Sequence, residues 1–257
     1  MMIVEQMLKN AQTPLLHIAD VCGSALFQGD CLDIMPLMPD KTVQLICADL
    51  PYNMTANKWD CLIDISYLWK QYERILKDDG CILLFAIQHI ATDLIISKRE
   101  WFKYDWILQK ARYSRQTQAK RMPLLAHEYV LTFYKKQPKY KPYTNEKNTL
   151  AGKKTPPTKT ENYLIPNQSE YVRPEFKTKN TLIPKYDVAE RGLHPTQKSV
   201  NVLKFLIETY TDEQDMVLDN TMGSGTTPLA AKELNRKFIG IEKEANYYEI
   251  ACRRCGF

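Results

Sequence analysis

Apolar positions along the chain fall into short continuous runs that alternate with helical stripes. Val43 to Ala48 is an almost unbroken apolar run of buried-strand length, closed by Asp49. Ala25-Leu26-Phe27-Gln28 reads as a short strand ending at Gly29-Asp30. Over residues 64–77 apolar side chains return at helical spacing, with Asp64 placed as the N-cap. Gly80 interrupts that stripe and predicts a new strand from Cys81 to Ala86. A helix over about 89–99 and strands at Trp106–Leu108 and Tyr129–Tyr134 follow. Late in the chain Val200, Leu203, Leu206 and Ile207 share one helical face, and Met216-Val217-Leu218 reads as a buried strand. A helix over 226–234, a strand at Phe238–Ile241 and a closing helix over 244–254 complete the pattern. Such alternation predicts an α/β fold with a largely parallel sheet covered on both faces.

The pattern lapses at about Lys135. Seven of the fourteen prolines lie between Pro138 and Pro184, interleaved with lysines, threonines and the tyrosines Tyr140, Tyr143, Tyr163 and Tyr171. Proline removes amide donors and disfavours helix interiors, so an irregular, extended excursion is expected here. Aromatic and basic side chains within it, with Tyr186 just beyond, favour an ordered, surface-binding segment over a plain linker. Regular structure resumes after His194-Pro195-Thr196-Gln197-Lys198.

Composition narrows this picture modestly. With 257 residues, 44% apolar and 25% charged, the chain suits one large α/β domain spanning 1–257, with an insertion over about 138–193. The net charge of +5 is mild, so a nucleic-acid partner would depend on where the basic residues cluster. Seven cysteines, several inside apolar runs, suit reduced buried thiols. Cys252 and Cys255 have metal spacing but lack a second pair or a nearby histidine, so no metal site is expected. Neither a signal segment nor an apolar run of about 18 residues is found, and a soluble intracellular protein without a membrane partner is expected.

Two loops carry candidate chemistry. The later one runs Asp219-Asn220-Thr221-Met222-Gly223-Ser224-Gly225-Thr226-Thr227 between a strand and a helix. A Gly-x-Gly turn there offers bare backbone and a helix N-terminus to a ligand. Glu242 closes the next strand, where a carboxylate can accept both hydroxyls of a ribose. A dinucleotide fingerprint wants a small residue where Pro228 stands, and a phosphate loop wants an absent Gly-Lys-Ser/Thr. S-adenosylmethionine needs no phosphate cradle, and the loop favours it over NAD.

The earlier loop is Asp49-Leu50-Pro51-Tyr52. An aromatic amino group is a poor nucleophile because its lone pair is delocalised into the ring. A carboxylate and a backbone carbonyl that accept its two N–H groups would draw the nitrogen toward tetrahedral geometry. Pro51 would stiffen the turn that aims the Leu50 carbonyl, and Tyr52 would stack on the ring. Taken alone, the same string is also an ordinary turn closing a buried strand. Cytosine C5 chemistry, which needs a thiolate nucleophile, is set aside because no Pro-Cys dipeptide occurs.

In this order the motifs resemble the beta group of amino DNA methyltransferases. Gly29-Asp30, Asp49-Leu50-Pro51-Tyr52, His194 to Lys198, and Asp219 to Thr227 followed by Gly240-Ile241-Glu242 match in sequence and bracket nearly the whole chain. The resemblance implies a Rossmann-like methyltransferase fold, α/β, with a seven-stranded, largely parallel sheet and one reversed strand. It implies S-adenosylmethionine as cofactor and duplex DNA as substrate. Asp49, Leu50, Pro51 and Tyr52 would hold the flipped base. Asp30 would meet the cofactor adenine and Glu242 its ribose. Asp219, Asn220, Thr221, Gly223, Ser224, Gly225 and Thr226 would line the pocket, and Thr196, Gln197 and Lys198 would approach the methionine carboxylate. Leu50 replaces the first proline of the commoner catalytic form, and Asn220-Thr221 the Pro-Phe of the commoner cofactor form. Aspartate rather than serine at position 49 leans the target toward adenine N6, with cytosine N4 or an RNA base as the alternative. A cytoplasmic, bacterial or phage-encoded enzyme is implied, with a homodimer and a cognate restriction endonuclease as further expectations.

A base inside a duplex must be extruded before it can react. Asn57, Lys58 and Trp59 follow the catalytic turn, and Arg112, Arg115 and Arg121, with Lys120, form a basic cluster suited to phosphate or a guanine edge. The excursion 138–193 is the candidate target-recognition region. His127 and Glu128 open a strand and read mainly as structural. From other classes, a DNA-binding module with a degenerate methyltransferase fold and a nicotinamide-dependent oxidoreductase compete with this reading.

Overall fold

The computed structural model of the chain describes residues 2–12, 15–19, 23–51, 63–155, 171–184 and 197–257. Helix α1 (Met2–Asn10) precedes β1 (Leu16–Ala19) and β2 (Ala25–Gln28). A four-residue helix, α2 (Cys31–Ile34), then leads to β3 (Val43–Ala48). Next come α3 (Ile65–Ile75), β4 (Leu76–Ala86), α4 (Ile90–Ser97), β5 (Phe102–Ser114) and β6 (Leu125–Phe133). Four short strands follow: β7 (Tyr143–Lys147), β8 (Lys154–Thr155), β9 (Tyr171–Val172) and β10 (Phe176–Thr178). The chain closes with α5 (Val200–Tyr210), β11 (Met216–Asp219), α6 (Thr226–Glu233), β12 (Lys237–Glu242) and α7 (Ala245–Cys255).

Contacts divide the chain into two compact units, one formed by residues 1–140 with 182–257, the other by 141–181. The larger unit is built on one sheet of order β1-β2-β12-β11-β3-β4-β6-β5. Strands β2, β12, β11, β3 and β4 pair in parallel. Strand β6 is antiparallel to both β4 and β5, which makes it the reversed strand of the seven expected. The sheet has eight strands rather than seven, because β1 adds an antiparallel edge beside β2. His17 interrupts the apolar positions of β1, so this four-residue edge carries no long apolar run to announce it.

Successive residues of the central strands point to opposite faces, and both faces are covered. Ile46, Ala48, Ile82 and Leu84 pack under α1, α2, α3 and α4 with Met7, Ile34, Leu68, Tyr72 and Leu94. Leu45, Cys47, Cys81 and Leu83 pack under α5, α6 and α7 with Leu203, Leu206, Ala230 and Tyr248. Helix α3 starts as anticipated, with the Asp64 carboxylate accepting from the amides of Ser66 and Tyr67 at 3.0 and 3.2 Å. It stops at Ile75 because Leu76 already pairs with Val43 in the sheet. Gly80 does not start the strand but lies inside β4, where a Cβ would stand 2.7 Å from Leu76 Cγ.

The smaller unit is not wholly irregular. Strand β7 pairs antiparallel with β10, and β8 with β9, each as a two-stranded ladder. Lys177 pairs with Glu146 at 2.7 Å across the first ladder. Among the described residues no helix is long and apolar enough to cross a membrane.

Candidate active site

Parallel strands present their carboxyl ends on one edge of the sheet, and the acidic candidates collect there. Asp30 follows β2, Glu242 ends β12, Asp219 ends β11 and Asp49 follows β3, in the order of the strands. Strands β11 and β3 are neighbours from which the chain winds outward in opposite directions. That junction is where open α/β sheets leave a crevice for ligands. Thr221 bridges it, its hydroxyl donating to the Asp49 carbonyl at 3.2 Å.

The Asp219–Thr227 loop is held by its own backbone and by the next strand. The Thr221 amide donates to the Asp219 carboxylate at 3.1 Å, and the Met222 amide to the Ile241 carbonyl at 3.0 Å. Gly223 and Gly225 have φ of +52° and +77°. At Gly225 a Cβ would meet the Ala251 Cβ at 2.7 Å, so only glycine lets α7 pack this closely under the loop. Arg254 of α7 braces the turn, donating to the Ser224 carbonyl at 2.7 Å and the Thr226 hydroxyl at 3.1 Å.

Glu242 receives two amides, that of Gly223 on one oxygen and that of Glu244 on the other, each at 2.8 Å. A carboxylate offers about four lone-pair directions, so these two amides leave it acceptor capacity for a ribose hydroxyl. Burial is the main influence that raises its pKa. Asp219 is pushed up further, to about 7, chiefly by burial and against a hydrogen bond from Thr227. Asp30 caps α2 by accepting from the Leu32 amide at 2.9 Å and pairs with Lys243 at 3.1 Å. Asn220 turns its side chain into the core, accepting from the Tyr72 hydroxyl at 2.6 Å and donating to the Cys31 sulfur at 3.6 Å.

Gln197 sits against the same loop, its side-chain oxygen accepting from the Ser224 hydroxyl at 3.5 Å. Its buried amide nitrogen has no hydrogen-bond partner among the described residues. An unsatisfied buried donor here is costly and marks a place for an acceptor. That donor, the acceptor capacity of Glu242 and the bare backbone at Gly223 and Gly225 together fit S-adenosylmethionine, with its carboxylate, ribose and adenine.

On the other side of the junction the contacts are ionic. Lys198 Nζ lies 2.5 Å from Asp49 Oδ2, 3.4 Å from Glu128 Oε2 and 5.1 Å from the centre of the Phe85 ring. Lys110 of β5 holds the other Glu128 oxygen at 2.6 Å. The two carboxylates raise the pKa of Lys198 despite its burial, so it remains an ammonium. Leu50 is buried in the core beneath this edge, and Pro51 is half-buried.

The structure thus gathers Asp49, Leu50, Pro51, Gln197, Lys198, Asp219, Thr221, Gly223, Ser224, Gly225, Thr226 and Glu242 at one end of the sheet, with Asp30 two strands along. Tyr52, Asn57, Lys58, Trp59 and Thr196 lie outside the described residues, as does the side chain of Arg112. Arg115 and Arg121 fall on the turn between β5 and β6, at the same end of the sheet as Asp49. Sequence reasoning missed Lys110, Tyr72 and Arg254 and undervalued Glu128. The available signal for Glu128 was an acid inside the apolar run of β6.

Comparison with known proteins agrees with this geometry. The DNA methylase family named for N6 and N4 methyltransferases matches residues 43–253. Type II methyltransferase M2.MboI of Moraxella bovis is 26% identical over 261 aligned positions, covering 89% of this chain and 86% of that protein. Type II methyltransferase M.HindIII of Haemophilus influenzae is 49% identical over 77 residues, a match spanning 30% of this chain and only 25% of its relative. Among solved structures the chain resembles the M1.HpyAVI complex with S-adenosylmethionine, with a TM-score of 0.64 and 24% identity, covering 89% of this chain and 98% of that one. It also resembles the cytosine-N4-specific PvuII DNA methyltransferase, with a TM-score of 0.62 and 17% identity, over 90% of this chain and 85% of the other.

Proposed function

The chain belongs to the DNA methylase family of N6 and N4 methyltransferases, S-adenosylmethionine-dependent enzymes whose substrate is DNA, and from this premise we propose that it methylates adenine N6 in duplex DNA. The observation that carries the reading is Asp49 at the junction of β3 and β11, its backbone carbonyl tied through Thr221 to the Gly-x-Gly loop and its carboxylate held by Lys198 at the same edge. When bound, S-adenosylmethionine supplies an electrophilic methyl on a sulfonium sulfur. Glu242 would accept the ribose hydroxyls, the Gln197 amide would donate to the methionine carboxylate, and Asp219, Thr221, Gly223, Ser224, Gly225 and Thr226 would line the pocket, with Asn220 bracing it from the core side. Asp30 would face the adenine.

Asp49 and the Leu50 carbonyl would accept the two N–H groups of the extruded base, pulling its lone pair out of conjugation and toward the methyl. As positive charge develops on the nitrogen, the Asp49 carboxylate stabilises it and one amino proton leaves on that side. Tyr52 would stack on the base. Arg112, Arg115 and Arg121 would hold phosphates beside the opening, with Asn57, Lys58 and Trp59 near the gap left by the base. Residues 138–193 would serve as the target-recognition insertion of a single domain spanning 1–257. Within it, residues 141–181 hold eight lysines and arginines against four acids, most of the excess charge of the whole chain. A homodimer and a restriction endonuclease recognising the same site are the proposed partners, in a bacterial or phage-infected cytoplasm.

Cytosine N4 is the second reading, favoured by the likeness to the cytosine-N4-specific PvuII enzyme. The test is incubation of unmethylated plasmid with purified protein and S-adenosylmethionine, digestion to nucleosides, and mass spectrometry. N6-methyladenine is the expected product. N4-methylcytosine would keep the mechanism and overturn the base; no modified nucleoside would overturn both readings.

A further inference from the structure

Glu128 is not needed to bind base or cofactor in the mechanism above, yet it stands one ammonium away from Asp49. Lys198 and Glu128 each expose only 16% of their side chains, so their charges are weakly screened. Lys110, Glu128, Lys198 and Asp49 alternate in sign along the chain of contacts and sum to zero. This arrangement has a consequence for the chemistry. Lys198 occupies Asp49 Oδ2 at 2.5 Å, and a base amino group needs an acceptor on that same carboxylate. An ammonium with Asp49 as its only anion would press wholly on that group and weaken it as an acceptor for developing positive charge. A second carboxylate on the far side shares the ammonium and draws it away.

We propose that Glu128 is a positioning residue, the anchor that retains the Lys198 ammonium when the target base engages Asp49. The inference rests on the methyltransferase reading. The competing role is a cross-strand ion pair between Glu128 and Lys110 on adjacent strands, which would leave the chemistry untouched. The two roles separate cleanly. If Glu128 acts through Lys198, removing Lys110 leaves the anchor in place; if it serves only Lys110, removing either partner has the same effect.

The experiment compares the full chain with Glu128→Gln and Lys110→Met. Methyl transfer from labelled S-adenosylmethionine to mixed-sequence plasmid is measured in a single turnover with enzyme in excess, beside calorimetric S-adenosylmethionine binding. Glu128→Gln should slow the single-turnover rate about tenfold or more, the size of one charge-assisted hydrogen bond, with cofactor affinity within about threefold. Lys110→Met should stay within about threefold of the parent rate. Equal losses in both variants, an unchanged rate in Glu128→Gln, or a cofactor affinity that falls in step with rate would each overturn the proposal. Should Glu128→Gln fail to fold, Glu128→Asp keeps the charge and withdraws it by one methylene, and a parental rate there would also overturn it.

A second readout needs no turnover. Acetylation of Lys198 by an amine-reactive ester, followed by peptide mass spectrometry, should speed up several-fold in Glu128→Gln and not in Lys110→Met, because an ammonium that loses a carboxylate deprotonates more readily. Unchanged labelling would overturn the anchor. A parent chain inert on DNA would instead sink the methyltransferase reading, leaving the labelling to judge Glu128 separately.

Discussion

The two sides of the β3–β11 junction hold their carboxylates by opposite means. On the β11–β12 side Asp219 is buried and Glu242 half-buried, their carboxylates are met by backbone amides and a threonine hydroxyl, and both have raised pKa values. On the β3 side Asp49 meets the ammonium of Lys198, itself shared with Glu128. Amides fixed by the fold give a site whose shape exists before any ligand arrives. Flexible ammonium groups give a site whose charge can be redistributed when a substrate enters. The first suits a cofactor bound the same way in every cycle, the second a base that must be captured and activated.

The largest break in this comparison is Asp49→Ala. The change removes the acceptor for the amino group and leaves Lys198, among the described residues, paired with Glu128 alone. Methyl transfer to plasmid should fall by roughly a thousandfold or more, the scale of losing a main transition-state contact. Cofactor affinity measured by calorimetry should stay within a few-fold, because the amide-held loop does not depend on this carboxylate. Loss of cofactor binding in step with activity would show that the two sides are not separate.

Asp219→Asn probes the other side through pH. With the folded pKa raised from 3.8 to about 7, the folded protein holds a proton there that the unfolded chain has released. Between these values the folded state binds more protons than the unfolded, so this group's contribution makes stability fall as pH rises from about 4 to 7. Asparagine cannot titrate. The variant should therefore gain stability relative to the parent across that window and level off above it, by at most about 4 kcal/mol. Denaturant melts at pH 4.5, 6 and 8 measure the difference. A parent–variant gap that does not change with pH would place the charge burden elsewhere.

The amide-held side was the more legible in sequence, and the reason is physical. Strand β11, a Gly-x-Gly turn, α6, β12 and its closing acid lie within 27 residues, and each signals itself locally through apolar runs or glycine. Asp49 was legible too, as the acid closing a continuous apolar strand. What Asp49 touches was not. Lys198 lies 149 residues away, and nothing in spacing or composition pairs it with Asp49 rather than with a cofactor carboxylate alone. Glu128 and Lys110 reach the site only because β6 reverses and β5 returns beside it. The edge strand β1 was missed for a related reason: its fitness as a strand comes from pairing with β2, not from its own pattern.

Gly225→Ala tests how far the cofactor loop is fixed by packing. Alanine at φ +77° is strained, and its Cβ would stand 2.7 Å from that of Ala251 and 3.0 Å from the Ala251 Cα. Either the loop lifts or α7 retreats, at about 2 kcal/mol. The thermal midpoint should drop by several degrees, and cofactor affinity should fall more than the single-turnover rate at saturating cofactor. A rate loss without an affinity loss would mean that the loop serves the base side as well.

Leu50→Pro should give the smallest effect and the sharpest view of what position 50 contributes. Its side chain is 5% exposed and belongs to the core beneath the site, whereas its proposed catalytic part is the backbone carbonyl. Proline keeps that carbonyl and restores the commoner form of the motif. It also pushes the preceding residue toward extended backbone, which suits Asp49 at the end of a strand. The apolar volume lost from the core should lower stability by about 1 kcal/mol. The single-turnover rate should stay within about threefold of the parent, because neither acceptor for the amino group has changed. A tenfold loss of rate with stability intact would assign the leucine side chain a part in seating the base, and position 50 would then set specificity as well as supply a carbonyl.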